Sequence, residues 1–378
     1  MLSYHLLREI WWVLLGVLLI GFAVMDGFDL GIGMLLPWVA RTDDERRVVI
    51  NSVGAVWEGN QIWFILGGGA IFAAWPMIYA VSFSGFYFAM LLVLLALILR
   101  PVGFKYRSKL PDPGWRSRWD ACLFIAGLLP SLLFGVALGN VLQGVPFHFD
   151  PELRSFYTGT LFDLLNPFAL LCGLTSVFML LFHGCTFLLI KTEGAIEKRT
   201  RPFAYVSGLL FIILFLVGGY LIQTHVPGYQ ITSPVLTDAP SNPLYKTVTT
   251  QVGLWFNNFA AYPWLFAVPG CAILGILLSM ILIAFNCYRL AWVFSALMVA
   301  STITTVGVTM FPFLLPSSTN PNMSLLVFDA SSSQLTLQIM LIATLIFMPI
   351  ILLYTSWIYY VLRGKVSLKD IKQDRQAY

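Results

Sequence analysis

Hydrophobic and polar positions along this chain alternate in blocks the length of membrane spans. Nine apolar runs approach or exceed the ~20 residues that a helix needs to cross a hydrocarbon core. They lie near residues 9–36, 58–75, 78–100, 120–141, 165–190, 203–223, 262–285, 289–313 and 335–361. No internal repeat or linker divides them. The pattern predicts an all-α polytopic membrane protein with nine transmembrane helices, in which residues 1–378 form a single membrane domain.

The second run is the weakest of the nine. Its core is rich in glycine, and Glu58, Asn60 and Gln61 crowd its start. A re-entrant hairpin at this point would leave eight spans. Lysine and arginine favour nine spans, because membrane proteins keep these residues in cytoplasmic loops. With a periplasmic N-terminus and a cytoplasmic C-terminus, nine spans place 19 of the 22 basic residues on the inner side.

Composition agrees with this class and makes the remaining charges informative. The chain is 58% hydrophobic and only 11% charged, with a mean hydropathy of +0.82, whereas soluble domains are about 25% charged. A soluble globular enzyme is therefore excluded. A charged side chain deep in a membrane costs at least about 2.5 kcal/mol, so such residues normally face a bundle interior, a wet cavity or a partner charge.

The first apolar run carries two acids in the segment FAVMDGFDLGIG, residues 22–33. Asp26 and Asp29 are three residues apart and share one helix face. Gly27 and Gly31 form a small-xxx-small pattern in the same turns, which allows a second helix backbone to come close. The sequence therefore predicts a buried polar face on this helix.

The predicted orientation places four charged residues in the inner half of the membrane or at its inner surface: Asp26, Asp29, Glu58 and Arg100. Buried carboxylates exchange protons readily when burial and neighbouring charges perturb them, so these acids could relay protons from a wet, cytoplasm-facing pocket. An alternative is that Arg100 pairs with an acid only to hold helices together. A third interpretation is cation binding in a transporter.

Histidine is too scarce for a metal or haem site of the usual kind. His5, His148 and His225 fall at or outside the external surface, and only His183 lies within a span. A six-coordinate intramembrane haem commonly uses two facing histidines, and a metal cage needs several converging ligands. We weigh a haem ligand at His183 against a hydrogen-bonded bundle histidine and favour the latter. No metal site is expected, and redox centres should lie in another subunit.

Several segments together resemble subunit II of cytochrome bd ubiquinol oxidase. They include IWWVLLGVLLIGFAVMDGFDLGIGMLLP, NSVGAVWEGNQIWFILGGGAIFAAWP, SGFYFAMLLVLLALILRPVGFKYRSK, ALGNVLQGVPF, LLNPFALLCG, MFPFLLPSS and SSSQLTL. The similarity runs from Trp11 to Tyr354. The DGFDLG, WEGNQIW and RPVGF segments are too specific to reflect membrane composition alone.

The resemblance implies a terminal oxidase of the bacterial inner membrane, which oxidises quinol near the outer face and reduces dioxygen with cytoplasmic protons. It implies that subunit I ligates the haems, two of b type and one of d type, and forms a pseudo-symmetric heterodimer with a nine-helix subunit II. By position, the proton route would use Asp26, Asp29 and Glu58, with Arg100 beside it. A structural quinone is bound in this subunit in some members. The expected partners are subunit I, quinol, lipids and small accessory single-helix subunits, and no nucleic acid.

Two residues depart from the pattern of the family. Position 58 is aspartate in other members and glutamate here, which keeps the charge on a longer arm. Lys105 stands where some members carry an acid, so an acid at the entrance of the route is absent. We interpret the chain as a proton-conducting subunit that ligates no haem. The alternatives are a secondary transporter that binds a cation at Asp26 and Asp29, and a purely structural partner of subunit I.

Overall fold

The computed structural model describes residues 2–367. Lys369, Lys372 and Arg375, which contribute to the charge bias of the tail, lie outside the described residues. The described chain contains twelve α-helices: α1 Tyr4–Val39, α2 Asp43–Gly54, α3 Trp57–Ala74, α4 Pro76–Gly85, α5 Tyr87–Tyr106, α6 Pro113–Gln143, α7 Pro167–Lys191, α8 Ala195–Thr224, α9 Asn257–Ala261, α10 Ala267–Ala284, α11 Tyr288–Met310 and α12 Gln334–Val361.

Short strands interrupt the otherwise helical architecture. They are β1 Phe147–Phe149, β2 Ser155–Tyr157, β3 Pro227–Ile231, β4 Val248–Val252, β5 Phe313–Leu315 and β6 Leu325–Leu326. They form three antiparallel two-stranded sheets, in which β1 pairs with β2, β3 with β4 and β5 with β6. All six lie in connections between long helices, so the all-α prediction holds for the bundle but not for these loops.

Eight helices in the described part of the chain are long and apolar enough to cross a membrane: α1, α5, α6, α7, α8, α10, α11 and α12. The helix α3 is shorter, with 18 residues, and starts with polar side chains at positions 58, 60 and 61. These side chains lower its mean hydropathy below that of the other eight. The expectation of nine spans therefore depends on α3.

The third predicted span, 78–100, is not one helix. It is divided into α4 and α5, with the break at Gly85 and Phe86. The ring of Tyr157 in β2 packs so closely on Gly85 that a Cβ there would lie 2.7 Å from it. The boundary between α3 and α4 has a local cause. Trp75 precedes Pro76, and a residue before proline disfavours helical dihedrals.

The helix α1 lies at the centre of the bundle and packs against α3, α6, α7 and α11. Its contact with α7 is close because two glycines face each other: a Cβ on Gly184 would lie 2.7 Å from the backbone of Gly31. A Cβ on Gly31 would in turn overlap the carbonyl oxygen of Leu180. This geometry confirms that the small residues of the first helix admit a second backbone.

The three sheets gather at one end of the bundle, which we name the cap end. There the buried Arg8 of α1 donates to the Ser331 hydroxyl (2.7 Å) and to the backbone carbonyls of Thr237 (2.6 Å) and Ala239 (3.1 Å). Lys246 and Asp329 form a further pair at 2.6 Å. These bonds join the start of α1 to the loops that precede α9 and α12.

The opposite end carries α2, and we name it the α2 end. Thr42 and Glu45 form a capping box that starts α2. Arg199 of α8 binds both Glu45 oxygens at 2.8 Å and also donates to the Val39 carbonyl (2.6 Å) at the end of α1. These bonds join α2 to the end of α1 and to the start of α8.

Candidate functional site: a buried aspartate and arginine cluster

Asp26, Asp29 and Arg100 meet in the bundle interior, on the side of its midpoint nearer the α2 end. The Arg100 guanidinium of α5 donates from Nη1 to Asp26 Oδ2 (3.1 Å) and from Nη2 to Asp26 Oδ1. The same Nη2 lies 3.6 Å from Asp29 Oδ2. All three side chains are almost fully buried. The structure therefore brings together three of the four residues that the sequence indicated.

Two further polar residues complete the cluster, and the sequence analysis assigned neither to the site. Asn60 in the first turn of α3 donates from Nδ2 to Asp29 Oδ2 (2.8 Å). Tyr359 of α12 donates its hydroxyl to Asn60 Oδ1 (2.7 Å). Asn60 could have been found as the polar residue two positions after Glu58. The sequence around Tyr359 does not indicate its role, because its partner Asn60 lies 299 positions away in the chain.

The charges within the cluster do not balance. Two carboxylates share one guanidinium, and Asp29 Oδ1 is buried without a hydrogen-bond partner among the described residues. A buried charge without a partner is costly. Chemically, such a cluster is suited to take up a proton or a small cation, which would remove the excess negative charge.

A small cavity of about 20 Å³ adjoins the cluster. Asp29 and Arg100 line it together with apolar side chains of α1, α2, α5 and α6, among them Val49, Val53 and Leu123. A volume of roughly 10–15 Å³ suffices for one water molecule. The space between Asp29 and the α2 end is thus narrow, mainly apolar in its lining and large enough for one water molecule, whereas the sequence predicted a polar pocket.

Glu58 does not join the cluster, contrary to the expectation that it shares a pocket with the other three. Its side chain is 65% exposed and lies 3.8 Å from Lys105 Nζ, itself 59% exposed. The reason is helical geometry: Asn60 occupies the inward face of the first turn of α3, and Glu58, two positions earlier, points outwards. Glu58 and Lys105 form a separate pair on the surface of this chain.

His183 lies deep in the bundle with both ring nitrogens engaged. Its Nε2 donates to the Val24 carbonyl (2.9 Å), since a carbonyl only accepts, and its Nδ1 lies 2.7 Å from Ser295 Oγ. The ring stacks on Trp292. Neither nitrogen is available to iron in this arrangement. The surroundings of His183 therefore do not fit a haem ligand. Within residues 2–367, no group of three or more histidine, cysteine, aspartate or glutamate side chains is placed to hold a metal ion.

A second, much larger cavity of about 460 Å³ lies between α6, α7, α8 and α11 in the half of the bundle nearer the cap end. Its lining is mainly apolar, with aromatic rings at Phe215, Tyr220 and Phe259 and open backbone at Gly219. Its volume and lining are typical of a site for a hydrophobic ligand.

The chain is similar to known subunits of cytochrome oxidases. The family model described as cytochrome bd terminal oxidase subunit II matches residues 7–362. Cytochrome bd-I ubiquinol oxidase subunit 2 of Escherichia coli (strain K12) is 48% identical over 377 residues, which is 100% of both chains. The probable cytochrome oxidase subunit 2 of Haemophilus influenzae is also 48% identical over 100% of both chains. Cytochrome bd ubiquinol oxidase subunit 2 of Bacillus subtilis is 29% identical over 96% of this chain and 98% of its own.

Among solved structures, the bd oxidase from Geobacillus thermodenitrificans matches with a TM-score of 0.68 at 14% identity, covering 94% of this chain and 97% of that chain. This match shows a shared fold. The comparisons give no support to the alternative of a secondary transporter. Since the family model and the 48% identical relatives span nearly the whole chain, the chain belongs to the cytochrome bd terminal oxidase subunit II family and is a multi-pass subunit of an oxidoreductase complex of the bacterial inner membrane.

Proposed function

We propose that this chain packs against a haem-bearing subunit I and supplies the cytoplasmic proton route to its oxygen-reducing site, in a quinol:dioxygen oxidoreductase that supports the proton-motive force. The observation that carries the proposal is the buried cluster of Asp26, Asp29 and Arg100. It holds one more carboxylate than guanidinium, and one Asp29 oxygen faces no partner. A cluster with this imbalance can accept and release a proton, whereas a matched ion pair would only join helices.

Electron transfer and oxygen reduction belong, in this proposal, to haems b and d of subunit I. The relatives from E. coli and B. subtilis are named ubiquinol oxidase subunits, which supports quinol as the electron donor. The engaged nitrogens of His183 support the placing of iron outside this chain. In the reaction itself, the residues of this chain bind and transfer protons and carry no electrons.

The membrane topology that we propose has nine spans, with α3 as the ninth, a periplasmic cap end and a cytoplasmic α2 end, all within a single membrane domain. Asn60 near the start of α3 bonds to Asp29, and the Ala74 carbonyl at its end accepts from the Ser332 amide (2.8 Å). Tyr4 at the start of α1 also bonds to Ser332 (2.6 Å). These contacts support a path of α3 alongside α1 between the two ends of the bundle.

Glu58 supports a route that continues into subunit I. An ionised side chain facing lipid is costly, yet Glu58 and Lys105 are both exposed on this chain. We propose that this face of α3 and α5 meets subunit I, so that Glu58 lies between the cytoplasm, the partner and the Asp29 cluster. The exposed faces of α8 and α12 leave room for lipids and small accessory single-helix subunits.

The test uses amide variants in the assembled complex. Asp26→Asn and Asp29→Asn remove one titratable group each with almost no change of shape. Asp44→Asn, at the α2 end but outside the cluster, is the matched control. Oxygen consumption with quinol reports turnover, and haem absorbance reports assembly.

We expect both cluster variants to keep normal haem content and to lose at least tenfold in turnover, or about 1.4 kcal/mol of barrier, while Asp44→Asn keeps the wild-type rate. Unchanged turnover in both cluster variants would leave only the structural role. Slow turnover with lost haem would mean that the cluster acts through assembly instead.

The large apolar cavity supports a second role, the binding of a structural quinone. Its lining combines aromatic rings with Gln223, whose side-chain amide could donate to a carbonyl group of a quinone ring. Gly219 borders the cavity and has open space where a side chain would start. We expect Gly219→Leu to lower the quinone extracted from the purified complex severalfold, and Gly16→Leu, at an equally open position away from the cavity, to leave it unchanged. Equal quinone content in both variants would contradict this role.

A further inference from the structure

Tyr359 makes a polar contact with the aspartate cluster from a helix that is mostly exposed on this chain. Only 6% of the most apolar stretch of α12 is buried within this chain. Among the described residues of this helix, Leu337 is the one that is fully buried. Tyr359 lies near the α2 end of α12, packs against the main core cluster and donates its hydroxyl to Asn60 (2.7 Å). One polar contact thus connects an otherwise exposed helix to the aspartate cluster.

The hydrogen-bond chemistry fixes the direction of this chain of contacts. An ionised carboxylate only accepts, so the side of Asn60 that faces Asp29 must be its amide nitrogen. The amide oxygen then faces Tyr359, whose hydroxyl donates to it. Without that hydroxyl, Asn60 turns more easily to offer its oxygen to a protonated Asp29, whose O–H can donate to it. The tyrosine therefore selects the amide orientation that stabilises the carboxylate.

We propose that Tyr359 and Asn60 are positioning residues, which hold the Asp29 carboxylate with one oxygen bound and the other open to the adjoining cavity. In this arrangement α12 does not contact Asp29, the proton carrier. It contributes to proton transfer by orienting Asn60, which binds Asp29. The inference rests on the proposed function, in that Asp29 must carry protons for its positioning to matter.

The groups near Asp29 come from several helices. Asp26 faces it from α1, Arg100 from α5, and Asn60 from α3 with Tyr359 of α12 behind it. The helix α7 packs against α1 at this level through Leu180 and Gly184, and both ring nitrogens of its His183 are engaged by Val24 and Ser295. The helices α2 and α6 line the adjoining cavity with Val49, Ile50, Val53, Leu123, Ala126 and Gly127, none of which titrates. A change at Tyr359 therefore reaches Asp29 only through Asn60 or through movement of α12 itself.

The experiment compares single-atom changes in the assembled complex. Tyr359→Phe removes only the hydroxyl. Tyr354→Phe does the same on the same helix at a side chain that is 61% exposed, and serves as the matched control. Asp29→Asn identifies which limb of the pH profile of oxygen consumption depends on Asp29. Haem absorbance again reports assembly.

We expect Tyr359→Phe to keep normal haem content, to slow turnover roughly two- to tenfold, and to move the Asp29-dependent limb by roughly 0.5 to 1 pH unit towards higher pH. The shift follows because a carboxylate that has lost an oriented donor is protonated more readily. Asn60→Leu, which has a similar shape and no donor, should move the limb in the same direction and at least as far.

A profile that stays in place in both Tyr359→Phe and Asn60→Leu, while Asp29→Asn abolishes the limb, would overturn the positioning role and leave the proposed function intact. Wild-type turnover in Asp29→Asn would overturn the proposed function itself. Loss of haem in Tyr359→Phe without a shift in the remaining active complex would make the contact a simple anchor for α12, again contradicting the inference.

Discussion

At the scale of single residues, Arg100 holds the cluster together. It reaches Asp26 with two hydrogen bonds and lies 3.6 Å from Asp29. Removing one member of a buried ion pair typically costs about 3–5 kcal/mol, because the remaining charge stays buried and unpaired. Removing one member of an exposed ion pair costs much less, because water screens each charge.

Arg100→Met should therefore destabilise the complex by about 3–5 kcal/mol, measured as a lower thermal midpoint and lost haem. Lys105→Met, five positions later on the same helix, breaks only the exposed contact with Glu58 and should cost at most about 1 kcal/mol. Adding Asp26→Asn to Arg100→Met should restore part of the loss. A double variant that is less stable than Arg100→Met would show that pairing is not what Arg100 supplies.

At the scale of helices, the bundle depends on contacts that glycine permits and on ties between helix ends. Gly31 of α1 and Gly184 of α7 allow the two backbones to touch at the level of the aspartates. At the α2 end, Glu45 joins α2 to α8 through Arg199. Both features fix the position of the second half of α1, which carries Asp26 and Asp29.

Gly31→Ala places a methyl group against the carbonyl of Leu180 and should destabilise the complex by about 1–3 kcal/mol. Gly16→Ala on the same helix has open space around the new methyl group, and should be neutral or slightly stabilising because alanine favours helix. Thermal unfolding of both purified complexes makes the comparison. Equal midpoints would contradict the close α1–α7 contact.

The stability of the α2 end depends on pH through Glu45. Hydrogen bonds from Arg199, followed by those from the backbone amides of Arg41 and Thr42, outweigh desolvation and lower the pKa of Glu45 from 4.5 to about 2. A lowered pKa contributes stability that is present above pH 4.5 and is lost as the pH falls from 4.5 through 2. Partial exposure of both side chains limits the contribution to about 1–3 kcal/mol.

Glu45→Gln should accordingly lower the thermal midpoint at pH 7, and its difference from the wild type should shrink as the pH is lowered from 5 to 3. Glu193→Gln, at a 66% exposed side chain that lies 3.6 Å from Lys365, is the control and should change little at either pH. A difference between Glu45→Gln and wild type that stays constant down to pH 3 would contradict the role of the ionised Glu45.

At the scale of the whole molecule, the sequence predicted most of the bundle, because apolar runs of span length have few alternatives in a membrane. It also predicted that Asp26 and Asp29 share a buried face, which follows from helical spacing alone. It could not predict the outward direction of Glu58, since the face that a first-turn residue presents depends on packing. Tyr359 and the break at Gly85 depend on partners far away in the chain, Asn60 and Tyr157.

The proposed topology can be tested by cysteine accessibility in a background without the five native cysteines. With nine spans, Thr249→Cys in β4 should react with a membrane-impermeant maleimide in intact spheroplasts, and Glu193→Cys should react only after permeabilisation. If α3 did not cross the membrane, the orientation of every later span would reverse relative to the N-terminus. Labelling of position 193 from outside would then contradict nine spans.

The central claim, that protons reach the oxygen-reducing site through the aspartates of this chain, is tested most directly by proton uptake. The fully reduced complex is mixed with oxygen, and a pH-indicating dye follows the uptake while haem absorbance follows the reaction. We expect Asp26→Asn and Asp29→Asn complexes with normal haem content to take up protons at least tenfold more slowly than the wild type. Uptake at the wild-type rate in both variants would contradict the claim.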